Sequence, residues 1–358
     1  MLSMPLVRHV PLLSQSWRVG INIDLTFAGR YLRSRSRSLS TKTNSSAASL
    51  VLLRYSSVNR RAVVQMAAKK PAVNPHSYTT MQPGGVAPPR PSASLVLLDG
   101  QNRILLTHRT SSVGSFADAH VFPGGNLDAD DPSPEFCAIR ETFEETGVLL
   151  TSPPPPQSLT ATFGDARRQI HARKTTFSDW LAHHNLTADT AALLPFTTWI
   201  TPPTMKKRYE TKMFLAFLPA ANTVDTSSTA QLPTADGGVE TVSATFMTAA
   251  EILAAHKAHK VILFPPQAYL VTRLAVFTSD RRLSVVQQRE GIRAWLESEG
   301  MGSWVFEPRQ EGMTRDGRRL ILGYGPRGDH GSKTVMRFGR NGMPEDLEIV
   351  SADAVSRL

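Results

Sequence analysis

The sequence predicts an α/β domain over residues 92–278, on three observations. Short apolar runs bounded by turn residues read as strands at 93–98, 104–107, 196–201, 211–218 and 239–246. A helix with recognisable start and stop signals lies among them at 132–147. Two more helices, 248–257 and one ending near 278, follow the last of these strands.

Ala93 to Leu98 and Ile104 to Thr107 are split by Asp99-Gly100-Gln101-Asn102, so they read as a β-hairpin. A polar loop covers 108–119, and a Gly-rich turn follows Val121-Phe122. The helix from Pro132 to Gly147 has Asp131 or Ser133 as cap, Pro132 or Pro134 in its first turn and Gly147 as its stop. Phe136, Ile139, Phe143 and Cys137 fall on the face that would bury. Val148-Leu149-Leu150 begins another buried segment, and Pro153 to Pro156 form a rigid break. Residues 163–194 read as a helical, solvent-facing insertion anchored by Ile170, Phe177, Trp180 and Leu181. The strands at 196–201 and 211–218 flank Pro202-Pro203. A polar loop, 222–238, and the turn Phe264-Pro265-Pro266-Gln267 complete the connections. Residues 279–358 read as a C-terminal α+β extension, its last 60 residues mostly strands and turns.

The 358 residues hold one cysteine, Cys137, which excludes an intramolecular disulfide and a Cys-based zinc site. The formal net charge of +10 is uneven. Residues 1–65 carry nine Arg and one Lys against a single acid, Asp24. The remaining chain has 30 basic and 29 acidic residues, so nothing in it demands a nucleic-acid partner. The Arg/Ser-rich leader has the composition of a mitochondrial transit peptide; a disordered leader, or a true start at Met66, fits it equally. Residues 66–91 are Pro/Gly-rich and read as a linker. No stretch of 18 apolar residues free of charge predicts a membrane span.

The chemistry concentrates in Phe122-Pro123-Gly124-Gly125, ten residues to Glu135, and Arg140-Glu141-Thr142-Phe143-Glu144-Glu145-Thr146-Gly147. On a helix, Glu141, Glu144 and Glu145 stand at i, i+3 and i+4 and share one face. Like charges so placed repel unless a cation sits among them, and a hard divalent ion wants oxygen ligands. Arg140, four residues before Glu144, can neutralise or orient one carboxylate. Gly124 and Gly125 let the backbone approach the helix and a bound phosphate. The competing reading is a solvated acidic face. Six specified positions at about 5% each match by chance with odds on the order of 1 in 10⁵, which favours the metal.

This segment resembles the Nudix box: Gly, five residues, Glu, seven residues, then Arg-Glu-apolar-x-Glu-Glu-x-Gly-apolar. The match is close from Arg140 to Val148, except that Thr142 takes the apolar position. The front half is one residue longer, and Asp131 stands in for the first Glu. That front half, Gly114 to Gly125, Trp199-Ile200-Thr201-Pro202, Lys207-Arg208-Tyr209-x-Thr211 and Phe264-Pro265-Pro266-Gln267 resemble the peroxisomal (acyl-)coenzyme A diphosphatase branch, over roughly residues 90–275. The long insertion that mammalian members carry within the box is absent. The resemblance implies an α/β/α sandwich with a mixed sheet, bound Mg²⁺ or Mn²⁺, and water attack on a nucleoside diphosphate derivative. Carried over residue by residue, it makes Glu141 and Glu145 the first candidate metal ligands and Glu144 the next. The general base is then one of these or Glu240.

Lys206-Lys207-Arg208 is a small basic cluster, and Lys207 and Arg208 are candidates for binding the 3′-phosphate of coenzyme A; a solvated loop is the plain alternative. His120 and Phe122 read as packing residues, and Phe264-Pro265-Pro266-Gln267 as a structural turn. The final Ser356-Arg357-Leu358 has the small-basic-Leu pattern of a peroxisomal import signal, which implies an import receptor as a partner. The expected substrate is therefore coenzyme A or acyl-coenzyme A. The alternatives are NAD(H), ADP-ribose or a dinucleotide polyphosphate, and, from another class, an inactive nucleotide-binding module.

Overall fold

The computed structural model describes residues 87–110, 117–220, 232–237, 240–339 and 342–358, all within one compact unit, Lys70–Leu358. The leader, and the linker up to residue 86, lie outside the described residues.

β1 (Arg90–Leu98) and β2 (Ile104–Arg109) pair in antiparallel register at Leu98↔Ile104. Beyond that point they separate, so the expected hairpin is only a junction. β3 (His120–Val121) pairs with β2, and β4 (Gly124–Asn126) pairs with the first half of β1. Pro123 between them accepts the Leu95 amide at 3.0 Å. The seven residues His120 to Asn126 thus wedge into the gap, and this wedge carries Gly124 and Gly125.

β5 (Thr151–Ser152) and β6 (Thr187–Ala188) form a two-stranded clasp around the insertion. β7 (Leu194–Ile200) is antiparallel to β8 (Tyr209–Phe217), and β8 runs parallel to β1 over its whole length. β9 (Thr241–Met247) pairs with β2, and β10 (Val305–Phe306) adds in parallel to β7. The result is a mixed eight-stranded sheet. β11 (Arg309–Met313), β12 (Leu320–Gly323), β13 (Ser332–Phe338) and β14 (Pro344–Ser351) make a separate antiparallel sheet.

Helices cover both faces of the main sheet, as a buried parallel strand pair requires. The pleat of β1 divides them. Ala93, Leu95 and Leu97 point to the layer of the helix Pro134–Thr146, while Val96 and Leu98 point to the layer of Pro265–Thr278 and Val285–Glu299. Ile292, Trp295, Phe306, Tyr324, Met336 and Leu347 share that second layer, so the C-terminal residues bury against the same sheet. Among the described residues no helix is long and apolar enough to cross a membrane.

The insertion after the proline run is helical with one face turned to the box helix. It consists of helices Gln157–Thr160, Phe163–His171 and Phe177–His183 followed by β6; Ile170, Phe177, Trp180 and Leu181 are buried, while Asp165, Arg168, Gln169 and Asp179 face solvent. Phe163 and Trp180 pack on Phe143 at ring-centroid distances of 5.2 Å each. Burying an aromatic side chain of this size stabilises by about 1.5–3 kcal/mol, so the apolar residues of the insertion cap the helix carrying the carboxylates.

Candidate active site

The helix Pro134–Thr146 begins at Ser133, whose hydroxyl accepts the Phe136 amide at 3.2 Å, and Pro134 fills the first turn where no amide is needed. It ends at Gly147, with φ 72°. Ile139, Cys137 and Phe143 are fully buried. Thr142, at the position expected to be apolar, is also buried, but its hydroxyl donates to the Ala138 carbonyl at 2.7 Å, so no polar atom is orphaned there.

Arg140 organises the carboxylates. Its Nε and Nη2 donate to the two oxygens of Asp131 at 2.9 and 2.8 Å, a bidentate pair. Nη1 lies 3.0 Å from both Glu141 Oε1 and Glu144 Oε1, and Nη2 also donates to the Asn126 carbonyl at 3.1 Å. Asp131, which stands in for the first Glu of the expected pattern, is thus the bidentate partner of Arg140. Burial opposes the charged form of the guanidinium, but the hydrogen bonds to Asp131 and the charge of Glu141 raise its pKa all the same.

Glu141 packs against the wedge: a Cβ on Gly125 would stand 2.4 Å from Glu141 Oε1, and one on Gly124 would stand 2.4 Å from the Ala93 carbonyl. Gly at 124 follows from the backbone approach, and Gly at 125 leaves room for the Glu141 carboxylate. Burial pushes the Glu141 carboxyl up to about 8, with Glu144 and Glu240 adding repulsion and Arg140 opposing. Glu145 is 2% exposed, and neither of its oxygens has a hydrogen-bond partner. Burial, then Glu141, raise its pKa well above the ordinary carboxylate range.

Glu240 lies just before β9 and is brought to the cluster. Its amide donates to Asp236 Oδ2 at 2.7 Å, and its carbonyl accepts the Thr110 amide at 3.0 Å. Between Glu145 and Glu240 stands Arg109, the last residue of β2, at 3.8 Å from Glu145 Oε1 and 3.7 Å from Glu240 Oε2. Its Nε is buried without a hydrogen-bond partner. Sequence reasoning passed over Arg109; the available signal was an Arg ending the buried run Ile104 to Thr107, where a guanidinium needs a carboxylate. His171 and Arg167, on the insertion, also reach Glu144 and were not anticipated.

The basic cluster Lys206-Lys207-Arg208 lies in the connection between β7 and β8. Arg208 is engaged by its own turn: Nε donates to the Thr201 carbonyl and Nη1 to the Ala87 carbonyl, both at 3.0 Å, and Nη2 lies 3.5 Å from Glu307 Oε1. Lys207 is exposed beside it.

The donor chemistry fits a hard cation. Among the described residues no three acidic, His or Cys side chains converge as a ready-made cage. Mg²⁺ does not need one, since it typically takes one or two carboxylates and completes its shell with water and substrate phosphate. The buried oxygens of Glu145, which accept no hydrogen bond and have Arg109 only at 3.8 Å, are the kind of group such an ion would satisfy.

His120 sits on β3, stacked on His108 at 4.3 Å. Its Nδ1 accepts the Ile262 amide at 3.3 Å, which requires that nitrogen to be unprotonated. Burial, with His108 nearby, lowers its pKa to about 4. In the unfolded chain the group titrates near 6.5, so the unfolded state binds more protons between those values, and stability falls as pH drops from 6.5 to about 4. His120→Asn keeps an acceptor at the Nδ1 position without titrating. Urea midpoints measured above pH 6.5 and near pH 4 should therefore diverge less in the variant than in the parent.

Comparison with known proteins agrees with this geometry. Residues 135–274 match the family described as the NUDT19 Nudix domain. Acyl-coenzyme A diphosphatase NUDT19 of Xenopus laevis is 25% identical over 259 residues, 54% of this chain and 66% of that protein. The protein of the same name from Homo sapiens is 28% identical over 264 residues, 54% of this chain and 67% of its own length. This chain therefore spans about two thirds of the relatives it matches. The crystal structure of a NUDIX hydrolase from Alicyclobacillus acidocaldarius is 21% identical, covers 51% of this chain and 90% of its own, and superposes with a TM-score of 0.40. The family match opens at Glu135, inside the helix that carries Glu141 and Glu145, and over that stretch the chain resembles the NUDT19 Nudix domain.

Proposed function

We propose that the chain is a divalent-metal-dependent diphosphatase that hydrolyses coenzyme A or acyl-coenzyme A to 3′,5′-ADP and (acyl-)phosphopantetheine. The observation that carries the metal is Glu145, buried beside Glu141 with neither oxygen hydrogen-bonded and a long ion pair to Arg109 at 3.8 Å. The substrate class is supported by the relatives named acyl-coenzyme A diphosphatase.

Glu141 and Glu145 would hold Mg²⁺ or Mn²⁺, with Glu144 as a third contact. When bound, such an ion neutralises phosphoryl oxygens and lowers the pKa of water. Arg140 keeps Glu141 and Glu144 aimed by occupying one oxygen of each. Gly124 and Gly125 leave the wedge backbone bare, so a diphosphate can approach it. Glu240, 44% exposed, is the carboxylate of the cluster most open to solvent and is the candidate general base. Arg109 orients it and neutralises Glu145. Lys207 supplies the cation for the 3′-phosphate, and Arg208, with its guanidinium spent on Thr201, Ala87 and Glu307, shapes the turn that presents it.

The test is turnover of coenzyme A, acyl-coenzyme A, dephospho-coenzyme A, NADH and ADP-ribose by the purified chain, with and without Mg²⁺ or Mn²⁺. Coenzyme A or its acyl form should be preferred, and chelation should stop the reaction. Lys207→Ala should lower kcat/KM for coenzyme A about tenfold, the worth of one charge-assisted contact, and leave dephospho-coenzyme A nearly unchanged. Preference for NADH or ADP-ribose would overturn the substrate assignment.

A further inference from the structure

The helix Phe163–His171 lies on the box helix by one face, on which Phe163, Ala166, Arg167 and Ile170 are buried. Arg167 fastens it there: Nε donates to the Glu144 carbonyl at 2.7 Å, and Nη1 to Thr234 Oγ1 at 3.0 Å. One turn further along the same face stands His171. Its Nδ1 is 3.7 Å from Glu144 Oε2, while the other oxygen of that carboxylate, Oε1, accepts from Arg140 at 3.0 Å. Glu144 is therefore addressed from two elements, one oxygen each. The His171 contact is at ion-pair range, longer than a hydrogen bond, so a small rotation of either side chain would close it. Its Nε2 is buried without a hydrogen-bond partner. The side chain is 24% exposed, yet its Nε2 is shut off from water and its Nδ1 faces a carboxylate of the candidate metal-holding group.

We infer that His171 is a positioning residue that fixes the second oxygen of Glu144, so that the helical insertion as well as the box sets the orientation of that carboxylate. This rests on the proposed role of Glu144 in holding the cation. A carboxylate pinned through one oxygen can still swing about its last torsion, whereas two anchors on opposite oxygens remove that freedom before the substrate arrives. The insertion then contributes to the site through two side chains four residues apart: Arg167 places the helix and His171 acts on the carboxylate.

Asn and Gln separate the two ring nitrogens. The amide nitrogen of Asn coincides with imidazole Nδ1, and that of Gln with Nε2. Three variants of the full chain, His171→Asn, His171→Gln and His171→Ala, are compared for kcat and KM with coenzyme A and Mn²⁺. Binding of Mn²⁺ alone is followed by electron paramagnetic resonance without substrate, and thermal stability is recorded for each. Loss of positioning should lower kcat about tenfold to a hundredfold in His171→Ala and His171→Gln, with KM nearly unchanged and weaker Mn²⁺ binding. His171→Asn should restore both. Rescue by Gln in place of Asn would overturn the inference and move the function to Nε2. Parent-like kinetics in His171→Ala would overturn it too, as would losses in all three variants that only track falling stability. If the unmodified chain binds no Mn²⁺ and turns over without metal, the metal reading itself fails, a result distinct from an intact Mn²⁺ response that ignores His171.

Discussion

Glu145→Gln should abolish most turnover while leaving the protein as stable as before, or more so. The two side chains have the same shape, so the helix packing around Phe143 and Ile139 is untouched. What is lost is one negative charge aimed at the site. If Glu145 holds the cation that stabilises the transferred phosphoryl charge, losing it should remove about 4 kcal/mol of transition-state stabilisation, or roughly a thousandfold in kcat/KM. Stability should move the other way. Glu145 is buried with both oxygens lacking hydrogen-bond partners, and burial raises its pKa well above the ordinary value. A group of that kind opposes folding at neutral pH, because ionising it is harder inside than out. A neutral amide removes the penalty, and Arg109 keeps Glu240 as its counter-charge. The measurement is paired: kcat/KM at saturating Mg²⁺, and the thermal midpoint without metal. Turnover near that of the parent would remove Glu145 from the site.

Arg140→Leu should show the reverse pattern of stability, with a large loss. The guanidinium is 9% exposed and meets Asp131, Glu141 and Glu144 at 2.8 to 3.0 Å. Leu fills part of the space but leaves these carboxylates buried and uncompensated. Breaking one side of a buried ionic group typically costs 3–5 kcal/mol, because the remaining charges have neither water nor a partner. The urea midpoint should fall accordingly, and activity should disappear with the aim of Glu141 and Glu144. Asp131→Asn should cost less, since an amide oxygen still accepts from Arg140 and Glu141 and Glu144 keep their cation. If the two variants are equally stable, the bidentate pair is not the keystone of the cluster that the geometry indicates.

These effects differ in how far they were legible in advance. The box helix was readable down to its caps, Ser133 and Gly147, because capping and amphipathic spacing are local and act within a few residues. The grouping of Glu141, Glu144 and Glu145 on one face follows from helical periodicity alone. Thr142 could be placed but not explained until its hydroxyl was seen bonded within the same helix. The Asp99–Asn102 turn was readable, but the separation of β1 from β2 was not, since it is made by the later β3–β4 wedge, which pairs with β1 at Ser92↔Asn126 and with β2 at His108↔His120.

The same division runs through the site. Sequence alone determined the helix, its three carboxylates, the Arg four residues from one of them and the paired glycines ahead of it, because each is a matter of spacing along one stretch of chain. Tertiary structure decided which charges meet. Arg109 from β2 and Glu240 before β9 face each other because two strands pair in register, and His171 reaches Glu144 because an insertion folds back onto the box helix. It also decided that Arg208 is spent on Thr201, Ala87 and Glu307, while Lys207 beside it stays exposed. Contacts across long sequence separations depend on sheet register and layer packing, and the residues that make them carry no local periodic signal of their partners.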